Sequence, residues 1–487
     1  MTHSFFTDLR CHAEKHPDQA ALIDSNGELS WSEMLQQIDR LADRLSVEAG
    51  QRIALMADNS IHWILTDLAV AKLGRVLVPL PLFFSDAQTR HVLASAGIDT
   101  LITVECSGPV ISRIKPASQP ALHPGTAKIT FTSGTTGSPK GVCLSVDNQF
   151  NLAYALRDRL AGLKLKSHLC ALPLATLLEN VAGVYSALLM GACVYLPELA
   201  SLGFGGSSRL DVEPYFSTLQ RLQPDSFITL PQVLSLLTDH MEASSHSLSS
   251  LRFVAVGGAR VGTSLLRRAH ACGLPAYEGY GLSEAGSVVS LNTPDQQRLG
   301  SAGYPLSHVG IETDGSGELI IRGNTMLGYL GSEPCGELFH TGDIGSIGLD
   351  GQIQISGRSR NVIINSFGRN LSPEWIESDW LARPGVEQAV LFGEARPYNA
   401  LLIHAPTLTD TEIENYRDTL NRDLPDYAQV GAWYRLPEPL TPEQGFYTLN
   451  GRPRRDRIAQ QFEAEIDSLY PPLLSTPLKS LSGANRS

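Results

Sequence analysis

Short apolar runs alternate with amphipathic stretches through the first 105 residues of the chain. The segment Ser32–Leu45 repeats its apolar residues at helical spacing, so it predicts an amphipathic helix. β-branched or apolar runs bounded by polar turns predict strands on either side of it. This alternation is typical of a parallel sheet covered on both faces. The predicted strands are Ala20–Ile23, Leu29–Trp31, Arg52–Leu55, Val76–Pro79 and Thr100–Val104, and the further helices are Ile61–Leu73 and Asp86–Ala96.

A second series of predicted strands and helices follows Cys106–Gly125, whose Ser, Pro and Lys content indicates a linker. The most apolar window, Val181–Leu196, is shorter than the roughly 20 residues that a membrane helix needs. It therefore predicts a buried helix running into a core strand. From about Leu299, strand-like runs between Gly and Asp turns indicate a small antiparallel region. A compact domain of about 110 residues then follows Gly357, and residues 471–487 are predicted to be a disordered tail.

Composition narrows the function classes. The 487 residues are 43% hydrophobic and 18% charged, which is typical of a globular protein with a sizeable core. The net charge of −12 argues against a nucleic-acid partner but not against ATP, which needs only a local positive site. Seven scattered cysteines without a Cys-x-x-Cys pair, and no apolar leader, indicate a cytoplasmic protein with reduced thiols. We expect no membrane span, and the oligomeric state stays open.

The stretch Thr132–Gly141, TSGTTGSPKG, combines hydroxyls, glycines and one lysine between two apolar runs. Glycine allows positive φ and close backbone approach, and successive N–H groups form an anion-binding nest. It is not a Walker A loop, because Gly141 follows Lys140 where Ser or Thr is required. A flexible surface loop is the alternative. The predicted polyphosphate ligands are Thr132, Ser133, Gly134, Thr135, Thr136, Gly137 and Lys140.

This loop resembles the phosphate loop of the AMP-forming adenylating enzymes, which include acyl-CoA synthetases, luciferases and peptide-synthetase adenylation domains. Four further segments resemble family motifs in the family's order: Gly257–Ala259 (GGA), Tyr277–Gly286 (YEGYGLSEAG), His340–Gly345 (HTGDIG) and Gly357–Glu377 (GRSRNVIINSFGRNLSPEWIE). The resemblance implies an α/β fold. A large N-terminal domain, residues 1–358, has two sheet-bearing αβ subdomains plus a small β region. A small hinged α+β C-terminal domain, residues 359–470, follows it.

The resemblance also implies roles for single residues. Lys140 and Glu284 are implied to be catalytic, with Glu284 coordinating Mg²⁺ beside the phosphates. Asp343 is implied to accept from the ribose hydroxyls, and Tyr280 to stack on adenine. From the residues alone, Tyr280 as a core aromatic, Asp343 as a turn former and Glu284 as a helix cap remain alternatives. The other implied nucleotide-binding residues are Gly258, Ala259, Gly281, Ser283, Arg358 and Arg369.

Two positions depart from the family pattern. Pro173–Glu179 (PLATLLE) resembles a segment of long-chain acyl-CoA synthetases, but Thr176 stands where a histidine is usual. Arg452 stands at the position of the family lysine that bridges the acid and the α-phosphate. Arginine is a planar fork and not a compact ammonium, so the exchange is not conservative. We predict that Arg452 takes the catalytic role; Arg454 or Arg455 in that role, or impaired adenylation, are the alternatives.

The predicted activity is ATP- and Mg²⁺-dependent conversion of a carboxylic acid, with a fatty acid as first choice, to an acyl-adenylate and pyrophosphate. Transfer to the thiol of coenzyme A follows. Leu210–Val233 supports the fatty acid, since it resembles long-chain acyl-CoA synthetases more than amino-acid adenylating domains. Loading an acyl or aryl group onto the phosphopantetheine of an acyl carrier protein is the nearer alternative. A catalytically silent nucleotide-binding protein is the other.

Overall fold

The computed structural model describes residues 2–105, 107–132, 139–205, 210–244, 246–358, 361, 363–364, 370–394, 396–448 and 451–470. Strands and helices alternate through the first part, as predicted. Its elements are α1 (Thr2–Lys15), β1 (Ala20–Asp24), β2 (Gly27–Ser30), α2 (Trp31–Glu48), β3 (Arg52–Met56), α3 (Ile61–Lys72), β4 (Val76–Pro79), α4 (Asp86–Ser95), β5 (Thr100–Glu105), β6 (Gly108–Arg113), β7 (Thr126–Thr132) and β8 (Lys140–Ser145).

The middle of the chain continues the same alternation and contains a π-helix. Its elements are α5 (Val146–Leu160), β9 (Ser167–Leu169), the π-helix (Leu178–Tyr185), α6 (Ser186–Leu189), β10 (Cys193–Tyr195), α7 (Val212–Leu222), β11 (Ser226–Thr229), α8 (Pro231–Ser244), β12 (Phe253–Val256), α9 (Thr263–Ala271), β13 (Ala276–Leu282), β14 (Ser287–Leu291) and β15 (Tyr304–Pro305).

Strands dominate the next stretch, and a small α+β region ends the described chain. The elements are β16 (Val309–Thr313), β17 (Glu318–Gly323), β18 (Gly328–Tyr329), β19 (Leu338–Ile347), β20 (Ile353–Arg358), β21 (Ile363–Ile364), β22 (Asn370–Leu371), α10 (Pro373–Leu381), β23 (Gln388–Phe392), β24 (Asn399–His404), α11 (Asp410–Asp423), β25 (Val430–Arg435), α12 (Arg455–Gln461) and α13 (Glu463–Ser468).

Within the described residues, two large sheets carry the N-terminal part. One has nine strands in the order β15-β14-β13-β12-β11-β9-β10-β1-β2, and the other has seven in the order β18-β8-β7-β4-β3-β5-β6. A four-stranded antiparallel sheet, β16-β17-β19-β20, matches the predicted β region. The C-terminal part holds the sheet β23-β24-β25 with α10 packed against β23. The predicted α/β fold with two sheet-bearing subdomains and a small α+β domain is confirmed.

Two local predictions were wrong. Trp31 is the first residue of α2 and not the end of a strand, because Ser30 caps the helix: its side chain accepts from the N–H of Glu33, and the Glu33 carboxylate accepts from the N–H of Ser30. The predicted linker Cys106–Gly125 contains β6, which pairs antiparallel with β5 at a sheet edge. An edge strand packs few side chains, so its polar composition resembles that of a linker.

A buried ion pair links β7 of the seven-stranded sheet and α3 to the π-helix. The Lys128 ammonium lies 2.9 Å from Asp67 Oδ1, and both side chains are almost fully buried. Asp67 Oδ2 accepts from the amide of Asn180 and from the hydroxyl of Tyr185, both at 2.7 Å. Since Asn180 and Tyr185 belong to the π-helix, this network fixes that helix. The predicted buried helix over this window is confirmed, and no helix among the described residues has both the length and the apolarity to cross a membrane.

Candidate active site

A cleft of about 2920 Å³ runs between the N-terminal sheets and the C-terminal region. The C-terminal region closes one side through α10, where the Arg268 guanidinium donates to the carbonyl of Ala382 at 3.0 Å. At Gly262, an added Cβ would lie 2.6 Å from the carbonyl oxygen of Ser378, so only glycine allows this close contact. The predicted site residues that line the cleft are Thr132, Lys140, Gly258, Ala259, Tyr280, Gly281, Ser283, Glu284, Asp343, Arg358 and Arg452.

Asp343 lies at the centre of a polar cluster in this cleft. Antiparallel pairing of β19 with β20 sets Asp343 opposite Arg358, whose Nε lies 2.8 Å from Asp343 Oδ1. The Tyr280 hydroxyl donates to Asp343 Oδ2 at 2.6 Å. Tyr280 lines the cleft and also packs against buried residues such as Ala285 and Leu319, so it is only partly a core aromatic. Tyr277 is one, since it is buried and stacks on Phe253 at 5.4 Å.

The backbone around Asp343 is held by neighbouring side chains. The N–H of Asp343 donates to the Thr341 hydroxyl at 3.0 Å, and the N–H of Gly342 donates to Glu318 at 2.7 Å. Asp343 lies within strand β19 and not in a turn, and it offers its carboxylate to the cleft. Burial raises the pKa of Asp343, opposed by the guanidinium of Arg358 and the hydroxyl of Tyr280. An almost buried carboxylate with accepting lone pairs suits a ligand that brings its own hydroxyl donors.

The loop Gly258–Val261 follows β12, the neighbour of the strand β13 that carries Tyr280. Gly258 has φ +86°, and an added Cβ would meet Leu230 at 2.9 Å, so the loop needs glycine there. Glu278 holds this loop by accepting from the N–H of Val261 at 3.1 Å. Burial raises the pKa of Glu278 to about 7. Gly258 and Ala259 are exposed, and they line the same cleft as Tyr280, whose ring offers a stacking surface to a flat ligand.

Gly281 has a structural reason of its own. It pairs with Val288 in a bulged register between β13 and β14. A Cβ at this position would lie 1.6 Å from the carbonyl oxygen of Ser287. Gly281 therefore permits close backbone packing, which brings the following Ser283 and Glu284 into the cleft.

Glu284 and Lys140 meet at Tyr329, a residue that the sequence did not single out. The Tyr329 hydroxyl donates to Glu284 Oε1 at 2.8 Å, and the Lys140 ammonium lies 5.6 Å from the centre of the Tyr329 ring. Burial, followed by the charge of Glu284, raises the pKa of Tyr329, which keeps it a neutral donor. Glu284 sits in a short 3₁₀ turn and makes its carboxylate contact with Tyr329 and not with a helix terminus, so the helix-cap alternative fails. Its second oxygen fits the hard ligand set of Mg²⁺.

Arg452 reaches this site from the C-terminal region. Its guanidinium donates to the carbonyl of Gly258 at 3.4 Å, across the cleft. Desolvation by the surrounding protein, followed by the positive charge of Arg358, lowers the pKa of Arg452, while the negative charge of Asp343 acts in the opposite direction. A guanidinium stays protonated at neutral pH despite such a shift. Arg455 is engaged elsewhere, because it pairs at 2.5 Å with the buried Glu377 of its own region.

The segment Pro173–Glu179 divides into a surface and a buried part. Thr176 lines the cleft, and its hydroxyl donates to the carbonyl of Pro173 at 2.8 Å. Glu179 is fully buried and holds the backbone, since it accepts from the N–H groups of Ala171 and Leu172 and contacts His168 at 2.9 Å. Glu179 is therefore a structural carboxylate.

A second cavity of about 40 Å³ lies behind one wall of the cleft, against the π-helix. The wall is apolar: the residues that line both spaces are Leu178, Ile228, Ala255, Val288 and Leu291. At Gly279 an added Cβ would lie 2.9 Å from the Leu291 side chain, so glycine keeps this wall open. Ligand atoms in this part of the cleft would meet hydrocarbon, which favours an apolar group.

Some predicted residues lie outside the described part of the chain. These are Ser133, Gly134, Thr135, Thr136 and Gly137 of the phosphate loop, Arg369, and the predicted disordered tail 471–487. Thr132 and Lys140, which flank the loop, pair with each other where β7 meets β8, so both ends of the loop open into the cleft.

Two family models match the chain. The model described as AMP-binding enzyme matches residues 9–330, and the model described as AMP-binding enzyme C-terminal domain matches residues 360–473. An oxalate–CoA ligase from Arabidopsis thaliana is 28% identical over 445 residues, which is 78% of this chain and 84% of that protein. The long-chain-fatty-acid–CoA ligase FadD15 of Mycobacterium bovis is 24% identical over 88% of this chain and 89% of that protein.

The fold also matches solved structures. The o-succinylbenzoate CoA synthetase MenE from Bacillus subtilis, in complex with ATP and magnesium ion, aligns with a TM-score of 0.74 and 21% identity, covering 92% of this chain and 98% of that one. At this identity the likeness shows the fold alone. The two curated relatives are CoA ligases that act on very different acids, a short diacid and a long fatty acid.

Proposed function

Because the chain belongs to the AMP-binding enzyme family, we propose that it converts a carboxylic acid with an apolar group to an acyl-adenylate and then to a thioester of coenzyme A. The observation that carries the proposal is the convergence in one cleft of Asp343, Tyr280, Glu284, Lys140 and, from the C-terminal region, a guanidinium. These groups suit a nucleoside triphosphate: acceptors for ribose, a flat ring for the base, and cations for phosphate.

The reaction places few demands on acid–base chemistry. A carboxylate oxygen attacks the α-phosphorus of ATP, and the bond to the bridging oxygen breaks as pyrophosphate leaves with the electron pair. The nucleophile is already ionised, so the protein must bring two anions together and stabilise the charge on the transferring phosphorus. Lys140 is proposed to bind the β- and γ-phosphates and Arg452 the α-phosphate and the acid. Glu284 would hold Mg²⁺, which neutralises phosphate charge when bound.

In the second step, the thiol sulfur attacks the acyl carbonyl, AMP leaves, and the thiol proton passes to solvent. A water-accessible acyl-adenylate would hydrolyse, so the site must be covered during the change of partners. We propose that residues 359–470 form this cover and reorient about the boundary after residue 358. The contact of Arg452 with Gly258 belongs to the closed arrangement for the first step.

The apolar wall beside the π-helix supports an acid with a hydrocarbon chain or aromatic ring. Five of its residues, from Leu178 to Leu291, are aliphatic, and the small cavity behind them extends the same surface. A second carboxylate, as in oxalate, would need a cationic partner there. A fatty acid of medium length is our first proposal for the substrate.

The test is pyrophosphate release from Mg·ATP with a panel of acids, from acetate and oxalate through fatty acids of increasing length to benzoates, without and with coenzyme A. Release with an apolar acid, followed by acyl-CoA formation, is the expected result. Pyrophosphate release with a diacid alone would refute the assignment of an apolar pocket. No release from protein that binds ATP would refute adenylation of free acids and favour a silent nucleotide-binding role, whereas release without acyl-CoA would favour a carrier protein as acceptor.

Leu291→Ala tests the wall directly. Leu291 is buried between the cleft and the small cavity, so its truncation joins the two spaces. We expect the preferred acid to become longer, measured as kcat/KM across the fatty-acid series. Leu237→Ala is the matched control, because Leu237 is equally buried, in α8, and lines neither space. An unchanged length profile in Leu291→Ala would contradict the assignment of this wall.

A further inference from the structure

Tyr329 joins the two charged groups that the proposed function assigns to ATP. Its hydroxyl donates to Glu284 Oε1 at 2.8 Å, and its ring lies under the Lys140 ammonium at 5.6 Å from the ring centre. It is half-buried and lines the cleft. One side chain thus contacts a carboxylate through its polar end and a cation through its face.

The backbone of Tyr329 is fixed to the same two segments. It lies in the two-residue strand β18, which pairs with β8 directly after Lys140: the N–H of Leu330 donates to the carbonyl of Gly141 at 2.8 Å. Three residues before Tyr329, the N–H of Met326 donates to the carbonyl of Glu284 at 2.6 Å. The tyrosine is therefore held against both partners by main-chain hydrogen bonds, so its side chain has a defined position relative to each.

The two contacts affect different parts of a bound nucleotide. A hydrogen bond to Oε1 fixes the rotation of the Glu284 carboxylate and leaves Oε2 for a hard cation such as Mg²⁺. The negative face of an aromatic ring attracts an ammonium and restricts the long lysine side chain to one region. Both effects lower the entropy that ordering these groups costs when ATP binds.

We infer that Tyr329 is a positioning residue for Mg·ATP, whose hydroxyl orients Glu284 toward the metal ion and whose ring holds Lys140 toward the phosphates. The inference rests on the proposed function for the identity of the ligand. It adds a residue outside the motifs from which that function was argued.

Two variants separate the role of the Tyr329 hydroxyl from the role of its ring. Tyr329→Phe removes the hydroxyl and keeps the ring, whereas Tyr329→Leu removes both. Binding of unmodified ATP is measured by isothermal titration calorimetry in MgCl₂ and in EDTA. Tyr329→Phe is expected to bind about tenfold more weakly in MgCl₂, since a hydrogen bond to a charged group is lost, and normally in EDTA. Tyr329→Leu is expected to bind more weakly in both.

Tyr154→Phe is the matched control. The Tyr154 hydroxyl donates to the carboxylate of Asp8 at 2.9 Å, and the Arg157 guanidinium lies 4.7 Å from the centre of its ring, so the same two contacts occur away from the cleft. This variant should bind the nucleotide like the unaltered protein in both conditions. An equal loss in Tyr154→Phe and Tyr329→Phe would overturn the inference by showing a general effect on the fold.

The remaining outcomes are equally decisive. Tyr329→Phe that binds normally in MgCl₂, or that loses the same affinity in EDTA, would overturn the role of the hydroxyl in metal-dependent binding. Tyr329→Leu that matches Tyr329→Phe in EDTA would overturn the role of the ring. If the unaltered protein binds no nucleotide in either condition, the proposed function itself fails, and this result is distinct from the others.

Discussion

Replacing Arg452 tests whether a guanidinium performs the first half-reaction. The Arg452 side chain crosses from the C-terminal region to the carbonyl of Gly258, close enough to Asp343, Glu284 and Arg358 for their charges to act on it. Two other arginines of the C-terminal region have partners within that region: Arg383 lies over the ring of Tyr416, and Arg396 pairs with Asp467. Arg452→Ala would leave the α-phosphate without this partner.

The size of the effect follows from the charge that is removed. A unit charge about 4 Å from an opposite charge contributes about 4 kcal/mol at an effective dielectric constant near 20. Loss of one preorganised donor to a developing anion generally slows the chemical step by about 10²–10³. We therefore expect Arg452→Ala to slow acyl-adenylate formation by about that factor. Arg452→Lys keeps the positive charge but loses the planar guanidinium with its two parallel donors, so we expect acyl-adenylate formation to slow about tenfold.

The assay separates the two half-reactions. Pyrophosphate release in a single turnover reports the first, and thioester formation from a supplied acyl-adenylate reports the second. Only the first should depend on residue 452. In Arg452→Lys it should also decline at alkaline pH, because desolvation and the charge of Arg358, which lower the pKa of the cation at this position, also act on a lysine, whose ordinary pKa is below that of arginine. The unaltered protein should show no such decline.

Arg417→Ala is the control, since the Arg417 guanidinium pairs with Glu414 and Asp418 on α11 and Arg417 does not line the cleft. Pyrophosphate release within threefold of normal in Arg452→Ala would refute the reasoning and direct attention to Arg454. An equal loss in both half-reactions would refute a role specific to adenylation. An Arg452→Lys profile without an alkaline decline would show that the local environment does not act on the cation as described.

Three further predictions concern stability and nucleotide binding. Asp67→Ala leaves the Lys128 ammonium buried without its ionic partner, so the free energy of unfolding in urea should fall by about 3–5 kcal/mol. The control Asp39→Ala breaks the more exposed ion pair with Lys72 and should change that free energy by less than about 1 kcal/mol. Equal losses in the two variants would contradict the burial argument. Glu278 has a pKa raised to about 7 in the folded protein, so it binds its proton more tightly there than in the unfolded chain. Its contribution to the free energy of unfolding is therefore fully present below the ordinary pKa of 4.5 and is lost as the pH rises to about 7. Glu278→Gln should reduce this loss of stability with pH by about 3 kcal/mol, and an unchanged dependence of stability on pH would refute the assignment. Asp343→Asn should weaken ATP binding at least tenfold by calorimetry because the carboxylate acceptor is lost, and a change below twofold would contradict its assignment to the ribose.

The family and the fold were accessible from the sequence because their signals are local. The motifs between Thr132 and Glu377 have residue types that backbone turns and anions require, and they predicted the family, which the family models confirm. The roles of single residues, including Glu284 and Arg452, stay predictions. The choice of a fatty acid also stays one: the comparisons support an adenylate-forming CoA ligase, and the named relatives use unlike acids.

The sequence could not find Tyr329, Glu278 or the apolar wall, because each depends on residues that are distant along the chain. Tyr329 meets Lys140 only through the pairing of β18 with β8, across more than one hundred positions of separation. Glu278 belongs to a recognised motif, yet its contact with Val261 and its raised pKa arise from burial in the folded protein. No periodicity along the chain records such contacts.

The sequence by itself determined the alternation of strands and helices, the turns that need glycine, and the chemical types available to bind ATP. These depend on backbone sterics and on residue spacing within a few turns, which are fixed before the chain folds. The tertiary structure alone decided which of these groups share a cleft. Asp343 joins Tyr280 and Arg358 through a strand pairing, and Arg452 arrives from a separate domain, because burial of apolar surface brings together segments whose separation along the chain carries no information about their distance in space.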